Sequence, residues 1–344
     1  MKEFGSDFHY IPNADFSTKL ENKFGQHQFY ANGRQAIQHL IEFKKWERIW
    51  IPEYFCYEIV EAIKSAGIQA MFYPDVPGLD DTSIINKLSF VKNDVLLRMN
   101  FFGLRSYRDN TSIPVEVIED HSHDMSGNWA TNSNADWCIA SIRKMLPVPE
   151  GGVLWSPKQH LLPERPVQTD ENISLAEKRW KAMKLKLDYL QKNMGSKDKF
   201  RELYVETENA FEKLPLSDMT EDCKSYLAGF DISSWNKMKN GNWKILTEIQ
   251  SDRIQILLPD DKGCNVFSFI FLLNTEHQRE QVRQYLIQNK LYPVVLWEIP
   301  EEKDSYVVDF SKRMLSVPCD ARYTTTDILK MRVILEKGLQ QTKV

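Results

Sequence analysis

The chain carries an acid and an amine at the ends of two apolar runs. In the stretch VEVIEDHSHDMSGNWATNSNADWCIASIRKMLPVPEGGVLW, residues 115–119 and 137–142 are short and rich in β-branched and apolar side chains. Such runs are typical of buried parallel strands in an α/β sheet. Ligands of open α/β sheets bind beyond the carboxyl ends of the strands. We therefore predict that Asp120 and Lys144 face one crevice.

An amine and a carboxylate in one crevice suit the chemistry of pyridoxal phosphate. A lysine can form a Schiff base with the cofactor aldehyde and can later carry a proton. A carboxylate beside the pyridine nitrogen keeps that nitrogen protonated, so that the ring withdraws electrons. The pattern predicts Lys144 as the amine and Asp120 as the carboxylate. The simpler alternative is that Lys144 is an exposed loop lysine without a chemical role.

A phosphate site is predicted near the start of the chain. The segment ANGRQAIQHLIEF has apolar residues at helical spacing, and the helix should begin next to Asn32 and Gly33. A helix N-terminus presents free N–H groups and the positive end of the helix dipole, which together hold anions. An ordinary glycine turn before a helix would have the same sequence, so this short motif leaves both interpretations open.

Two segments resemble the DegT-type aminotransferases, a family that transfers amino groups to nucleotide-linked sugars. IEDHSHD is similar to the family segment I-E-D-A-A-H, and SIRKMLPVPEGGVL is similar to S-F-H-x-x-K followed by E-G-G. The distance from Lys144 to E-G-G fits the family. Ser141 stands three residues before the lysine, whereas the family commonly has a serine five residues before it. The shortened loop also carries Arg143.

The resemblance implies a fold and an activity. The expected fold is α/β, the fold type I of pyridoxal-phosphate-dependent transferases, with a three-layer αβα large domain and a smaller C-terminal α+β domain. The large domain would span residues 1–230, and a linking helix with the small domain would span 231–344. The implied reaction moves an amino group from glutamate to a nucleotide-linked keto-sugar through the Lys144 Schiff base. A homodimer is expected, because the family's sites lie at the subunit interface.

Residues around the phosphate follow from the same resemblance. The family has S-G-T-x-A where this chain has ANGRQ, which places the phosphate at Gly33, Arg34 and Gln35. Arg34 replaces the usual threonine. Ser141 is expected to contact the phosphate as well, and Arg143 could add positive charge.

Other candidates surround the cofactor ring. The stacking aromatic is expected just after the proline of RIWIP, where Tyr54 and Phe55 are candidates and Cys56 matches best by count. Asn100 occupies the place of a histidine in the family segment V-H-x-x-G. His123 matches the histidine of D-A-A-H, which lies behind the ring or beside the phosphate. Each of these residues would equally suit a place in the protein core.

Substrate contacts are predicted from the C-terminal part of the chain. In the family, a loop of the small domain overhangs the cofactor, and here that loop would carry Tyr292, Pro293 and Trp297. Glu298 follows as a further candidate. Packing between the domains is an equally good role for Trp297.

Two other functions remain open from the sequence. The altered Arg34 and Asn100 positions would suit a family member that binds the cofactor but has a non-transaminase or regulatory role. D-H-S-H-D could instead supply metal ligands, with His121 and His123 serving a metal-dependent hydrolase. That motif would need its acid two residues after the second histidine, whereas Asp124 follows directly, so we predict no metal site.

Composition narrows the class of protein. The chain has 344 residues, of which 42% are hydrophobic and 27% charged, as in ordinary globular proteins of more than one domain. A net charge of -4 without a basic stripe argues against nucleic-acid binding. No apolar run suits a membrane span or a signal peptide, so a cytoplasmic protein is expected. Its 5 cysteines, widely spaced and odd in number, should be reduced thiols.

The remainder of the chain alternates between strands and helices. Periodicity predicts long helices over 173–212 and a linking helix from residue 230. After it, IQILLP, NVFSFIFLLN, a helix over 276–289 and LYPVVLW form a β-β-α-β unit, followed by a last helix over 325–340. The first thirty residues show no period and should wrap over the surface of the large domain or of a partner subunit.

Overall fold

The computed structural model describes residues 3–12, 24–192 and 195–341. Within these ranges the strands are β1 Phe4–Gly5, β2 His27–Tyr30, β3 Arg48–Pro52, β4 Gln69–Tyr73, β5 Asp94–Met99, β6 Glu116–Asp120, β7 Trp137–Ser141, β8 Gly152–Trp155, β9 Ile254–Ile256, β10 Phe269–Leu273, β11 Leu291–Tyr292 and β12 Met314–Val317. The helices are α1 Gly33–Lys44, α2 Tyr57–Ser65, α3 Asp81–Ile85, α4 Asn128–Asn132, α5 Ile142–Met145, α6 Asp170–Lys192, α7 Lys197–Phe211, α8 Glu221–Ala228, α9 Ile232–Thr247, α10 Glu276–Gln288, α11 Ser305–Arg313 and α12 Thr325–Gln341.

The large sheet has seven strands in the order β2-β8-β7-β6-β5-β3-β4. The strands β7, β6, β5, β3 and β4 run parallel to one another. At one edge β8 pairs antiparallel with β7, and β2 pairs antiparallel with β8. All residues of β5 and β7 are buried, as expected for parallel strands covered on both faces. The carboxyl ends of β5, β6 and β7 therefore meet along one edge of the sheet, where β6 ends at Asp120 and β7 at Ser141.

Successive residues of the central strands pack into two different cores, which shows the three-layer arrangement. Ile118 and Ile139 join the core that contains Leu40 of α1. Val117 and Ala140 join the opposite core, with residues of α8 and α9. Side chains alternate across a strand, so the apolar runs of β6 and β7 supply both faces of the sheet.

The small C-terminal sheet differs from the predicted β-β-α-β unit. Its antiparallel order is β12-β10-β9, so β12 takes the place predicted for LYPVVLW. Of that segment only Leu291 and Tyr292 form a strand, and Val294 makes a single bridge to Ser316. Pro293 lacks the N–H group that a continuing ladder would need, which accounts for the interruption.

The predicted N-terminal surface segment was wrong for residues 27–30 but agrees with the structure for residues 3–12, most of which are exposed or half-buried. Residues 27–30 form the edge strand β2 of the large sheet, paired with β8. Residues of β1 pair in parallel with β11, so the chain start is joined to the C-terminal region. The Tyr10 N–H donates to the Met183 carbonyl of α6 at 3.0 Å. Residues 1, 2 and 13–23, which the same prediction covered, lie outside the described residues.

Two further predictions concern the whole chain. The cysteines are free thiols, and each of them except Cys56 is buried. Among the residues that the structure describes, no helix combines the length and the apolar character needed to cross a bilayer.

Candidate active site

A cleft lies along the carboxyl ends of the parallel strands. The space between its walls measures about 950 Å³, part of which is open to solvent. We call it the front cleft. Its lining comes from the strand ends, from the starts of α1, α2 and α5, from α7 and from Trp297: Asn32, Gly33, Arg34, Phe55, Cys56, Glu58, Ile59, Met99, Asp120, Ser122, Ile139, Ser141, Arg143, Lys144, Glu208, Asn209, Phe211, Glu212 and Trp297.

Lys144 lies in the front cleft, on the short helix α5 that follows β7. The helix is held at its start, where the Ile142 N–H donates to the Gly151 carbonyl at 2.9 Å. The Lys144 Nζ lies 6.0 Å from the centre of the Trp297 ring. In the described part of the chain no hydrogen bond or ion pair involves this amine, which leaves it available for covalent chemistry.

Asp120 lines the same cleft from the end of β6. Its side chain is buried, and Oδ1 accepts a hydrogen bond from the Ser122 N–H at 2.8 Å. Oδ2 has no partner among the described residues. Ser122 was not predicted as a site residue, yet its hydroxyl accepts from the Ser141 N–H at 2.9 Å and so joins the ends of β6 and β7. Its position directly after the predicted strand end was the signal available in the sequence.

The start of α1 presents free N–H groups to the front cleft. The Asn32 Oδ1 caps the helix by accepting from the Gln35 N–H at 3.0 Å. Over the described residues, the N–H groups of Gly33 and Arg34 have no partner. A Cβ atom on Gly33 would lie 3.1 Å from the Ser141 Cβ, so the helix start and the end of β7 meet closely. This arrangement forms an anion cradle of the predicted kind.

The E-G-G segment allows that close approach. A Cβ atom on Gly152 would lie 2.3 Å from the Asn32 carbonyl oxygen, which excludes any side chain there. Gly151 has a φ of +126°, a value that other residues rarely adopt. Glu150 is buried and accepts from the Thr220 N–H at 2.8 Å, and burial raises the pKa of its carboxyl group. Glu150 thus anchors the start of α8 rather than lining the cleft.

Two arginines add unsatisfied donors to the cleft. Arg34 contacts Glu58 at 3.3 Å, and Arg143 binds both oxygens of Glu208 at 3.0 and 2.6 Å. In each arginine the Nε atom is buried without a hydrogen-bond partner among the described residues. Buried donors without partners are costly, and an anion bound between them would satisfy them.

The three residues after RIWIP take different positions. Phe55 and Cys56 line the front cleft, and Phe55 packs against Trp297 with ring centres 6.1 Å apart. Tyr54 is fully buried in the core, with its ring 4.9 Å from that of Phe310. Phe55 is therefore the aromatic side chain of this group that a ligand in the cleft would meet.

Several predicted site residues lie outside the cleft. The Gln35 amide donates to the carbonyls of Leu214 and Pro215 at 3.2 and 2.8 Å, so its side chain ties α1 to the chain before α8. The Tyr292 hydroxyl accepts from the Lys197 Nζ at 3.1 Å, and Tyr292 lines a second cavity that Lys144 also lines. Pro293 is buried and Glu298 is exposed, and neither lines the cleft. Of the predicted substrate residues, only Trp297 does.

His121 and His123 point into different surroundings. The His121 Nε2 lies 3.0 Å from Glu119, and Asn100 approaches its Nδ1 at 3.4 Å. His123 accepts from the Phe102 N–H at 3.1 Å. Its ring stacks with those of Phe102 and Trp297, at centre distances of 5.2 and 5.6 Å. The two histidines therefore do not converge on one metal position, and Asn100 lies behind the cleft.

Electrostatics distinguish the two histidines as well. Burial, reinforced by the charges of Lys144 and Lys239, holds the pKa of His123 well below its usual value. His123 is therefore neutral at physiological pH.

His121, Glu119 and Cys138 offer ligand atoms within 4.8 Å of one another. Both Glu119 oxygens already accept hydrogen bonds, from Asn110 at 2.7 Å and Ser133 at 2.6 Å, so this cluster is a buried hydrogen-bond network.

Comparison of sequences finds no match for the chain, whereas comparison of structures finds many solved structures with a similar fold. No protein-family model and no curated protein sequence matches the chain. A putative sugar aminotransferase from Streptococcus pneumoniae, in its PLP form, aligns with a TM-score of 0.65 at 10% identity, covering 99% of this chain and 100% of that one. Helicobacter pylori PseC, an aminotransferase of pseudoaminic acid biosynthesis, aligns with a TM-score of 0.64 at 11% identity, with the same coverage.

A third structure, 3-amino-5-hydroxybenzoic acid synthase, aligns with a TM-score of 0.66 at 13% identity over 94% of this chain and 90% of that one. The chain shares their fold. The predicted fold type I architecture, with its three-layer large domain and smaller C-terminal α+β part, is thereby confirmed. At these identities the likeness shows the fold alone, so the chemistry has to be argued from the cleft.

Proposed function

We propose that this chain is a pyridoxal-phosphate-dependent aminotransferase that acts on a sugar. In the finer form of the proposal, the acceptor is a nucleotide-linked keto-sugar and glutamate is the amino donor. The fold is one that aminotransferases use, and the front cleft lies where α/β sheets bind their ligands. The observation that supports it most directly is that Lys144, Asp120 and the start of α1 at Gly33 line one cleft, and that the Lys144 amine has no hydrogen bond or ion pair among the described residues.

The residues of the cleft fit the cofactor group by group. The free N–H groups of Gly33 and Arg34 would hold its phosphate, with Ser141 and the unsatisfied Nε atoms of Arg34 and Arg143 beside them. The Asp120 carboxylate would face the ring nitrogen, and the Phe55 ring would cover the pyridine. When bound, pyridoxal phosphate supplies an aldehyde that takes up amino groups and a ring that withdraws electrons.

Lys144 has two tasks in this proposal. Its amine would hold the cofactor covalently between reactions, and the same amine, once released, would move a proton between substrate carbon and cofactor carbon. Trp297 lies next to that amine and limits the access of water to it. Asp120 would keep a proton on the ring nitrogen, which stabilises the negative charge that develops when the substrate carbon loses its proton.

Dimerisation and location belong to the same proposal. We infer a homodimer that works in the cytoplasm, because the resembling family builds its sites between two subunits. Sedimentation of the purified protein would test the dimer. A monomer with full activity would contradict it.

The direct test is a spectroscopic titration. The purified protein should bind pyridoxal phosphate with a visible absorption band, and glutamate should convert that band to the one of the aminated cofactor. Failure to bind the cofactor would overturn the proposal. Binding of the cofactor without any response to a panel of amino donors would favour the second candidate, a cofactor-binding protein with a regulatory role. That candidate is suggested by Arg34 and Asn100, which stand where the resembling family has threonine and histidine.

A further inference from the structure

A second cavity lies directly behind Lys144. It encloses about 970 Å³ of open space between α6, α7, α9 and the C-terminal sheet. We call it the rear cavity. Arg143 and Lys144 line both this cavity and the front cleft, so they form a common wall. The remaining charged side chains of the lining are Asp7, Arg179, Lys239, Asp320 and Arg322.

Lys239 is an unusual member of this lining. It lies on α9 with 3% of its surface exposed. Across the described ranges of the chain, its Nζ has no hydrogen bond and no carboxylate within ion-pair distance. Burial has the largest influence on Lys239 and lowers the pKa of its amine, against the opposing charges of Asp124 and Asp320.

The nearby carboxylates are already engaged elsewhere. Asp320 uses both oxygens to bind Arg322, at 2.7 and 2.9 Å. Asp124 accepts from the N–H groups of Gly127 and Asn265 at 2.8 and 3.0 Å. Neither acid lies within ion-pair distance of the Lys239 Nζ in the described part of the chain, so each acts on it only as a more distant charge.

The other cations of the cavity are also only partly balanced. Arg143 and Arg179 share a single carboxylate, that of Glu208. The Arg179 Nε is buried without a hydrogen-bond partner among the described residues. Asp7 lies no closer than 3.9 Å to Arg179. The rear cavity thus has more positive charge than its acids offset, and that excess lies around a space that is partly open to solvent next to Lys144.

We infer that the rear cavity binds an oxyanion group of a substrate, with Lys239 as its counter-ion. This inference rests on the proposed aminotransferase function and names the part of the chain that would recognise the substrate. The oxyanion is either a carboxylate of the amino donor or a phosphate of the acceptor. A group held by Lys239 would lie in the same cavity as Lys144, which lines both this cavity and the front cleft.

The chemistry of Lys239 supports this role over a purely structural one. A buried lysine that only packs should leave anion binding unchanged when methionine replaces it, because the two side chains have similar length. A lysine that is retained as a binding group should lose the affinity of one charge-assisted contact in the same replacement.

The test compares Lys239→Met with Lys237→Met. Lys237 is exposed on the same helix and serves as the matched control. If the oxyanion is the donor carboxylate, Lys239→Met should raise the KM for glutamate at least tenfold, equivalent to about 1.4 kcal/mol, with a smaller change in kcat. Inhibition by succinate should then weaken by the same factor. The absorption of the bound cofactor should stay the same, because Lys239 does not line the front cleft.

A second set of measurements identifies the source of the oxyanion and does not need activity. Succinate and inorganic diphosphate should each be tested for raising the Tm of the wild-type protein. If Lys239→Met loses only the succinate effect, the site takes the donor carboxylate. If it loses only the diphosphate effect, the site takes the acceptor phosphate.

Other outcomes separate this inference from the function itself. If both Tm effects and the KM for glutamate are unchanged in Lys239→Met, the inference is wrong even when the cofactor binds. The wild-type protein could bind no cofactor and still show a rise in Tm with succinate or diphosphate that Lys239→Met lacks. In that case the proposed function is wrong and the anion site is supported. Should Lys239→Met fold poorly, Lys239→Gln provides the same comparison with a polar side chain.

Discussion

The front cleft and the rear cavity share Lys144 but are built from different parts of the chain. The front cleft takes its key groups from strand ends and helix starts, such as Asp120 and Gly33. The charged residues of the rear cavity include Arg179 and Lys239, which lie inside the long helices α6 and α9, and Arg322, which lies in the loop before α12. One side offers backbone N–H groups in fixed geometry, and the other offers long cationic side chains.

This difference suits the front cleft and the rear cavity to ligands of different kinds. Backbone donors at a helix start cannot be moved without disturbing the fold, so they suit a group that stays bound. Lysine and arginine side chains can adjust to what enters, so they suit a group that comes and goes with each turnover. The Lys144 amine, which lines both spaces, would then lie where the resident cofactor and the exchanging substrate meet.

Loss of the common wall should have the largest effect. Lys144→Ala is expected to abolish amino transfer and the absorption band of the bound cofactor. Thermal unfolding without cofactor should change little, within about 0.5 kcal/mol, because the amine has no partner among the described residues. Borohydride reduction followed by peptide mapping is the sharpest check. A cofactor trapped on another lysine would show that Lys144 is not the attachment point.

The next largest effect is expected on the front side alone. Asp120→Asn should lower kcat on the order of 10²–10³-fold, because the amide cannot stabilise a proton on the ring nitrogen. The Ser122 contact can persist with the amide oxygen, so the fold should hold. The same substitution at the exposed Asp80 serves as control. Near-normal turnover of Asp120→Asn would remove this carboxylate from the mechanism.

A smaller effect is expected at the anion cradle. Ser141→Ala should weaken cofactor retention roughly tenfold to hundredfold, corresponding to the loss of one charge-assisted hydrogen bond of about 1.5–3 kcal/mol. Ser133 is a matched serine, because its hydroxyl binds Glu119 at 2.6 Å away from the cleft. Ser133→Ala should lower stability without changing retention. Equal retention by both variants would argue against a phosphate at Ser141.

The smallest effect concerns His123, which lies between the lysines of the two sides. Its folded-state pKa is lowered, so below pH 6.5 the unfolded chain binds a proton there that the folded chain does not. Stability contributed by this residue is therefore complete above pH 6.5 and falls as the pH drops, by up to about 1.4 kcal/mol per pH unit. Urea unfolding at pH 7.5 and 5.5 measures this loss.

His123→Gln is the comparison for the pH experiment. It should show a smaller loss of stability between the two pH values than the wild-type protein. Part of the loss should remain, because burial also lowers the pKa of His9 to about 4. An unchanged pH dependence in His123→Gln would show that His123 does not titrate differently in the two states.

The sequence was most informative where short segments carry their own signal. The runs that became β6 and β7 were predicted within one or two residues, because strands buried on both faces are apolar throughout. Asp120, Ser141 and Lys144 followed from those strand ends. Ser122 was missed, since the sequence does not show that its hydroxyl would receive the N–H group of a neighbouring strand.

Predictions were weaker where an element depends on a distant partner. The strand β12 was missed and LYPVVLW was given its place, because edge pairing depends on register with β10 and not on local apolarity alone. The family resemblance predicted Gln35 at the phosphate and Tyr292 over the substrate, and neither lines the front cleft, although Tyr292 lines the rear cavity. Their side chains turn toward Pro215 and Lys197, contacts across 180 and 95 residues of sequence.

The sequence by itself determined the α/β pattern, the order of the strand-end groups and the glycines that let the chain start approach β8. These features depend on short apolar runs and on the positions of glycines, which can be recognised within a short segment of sequence. Only the tertiary structure decided that His121 and His123 face apart, that Tyr54 is core while Phe55 lines the cleft, and that Lys239 lies buried behind Lys144. Burial and the direction of a side chain depend on which distant elements pack against it, and no window of sequence contains that information.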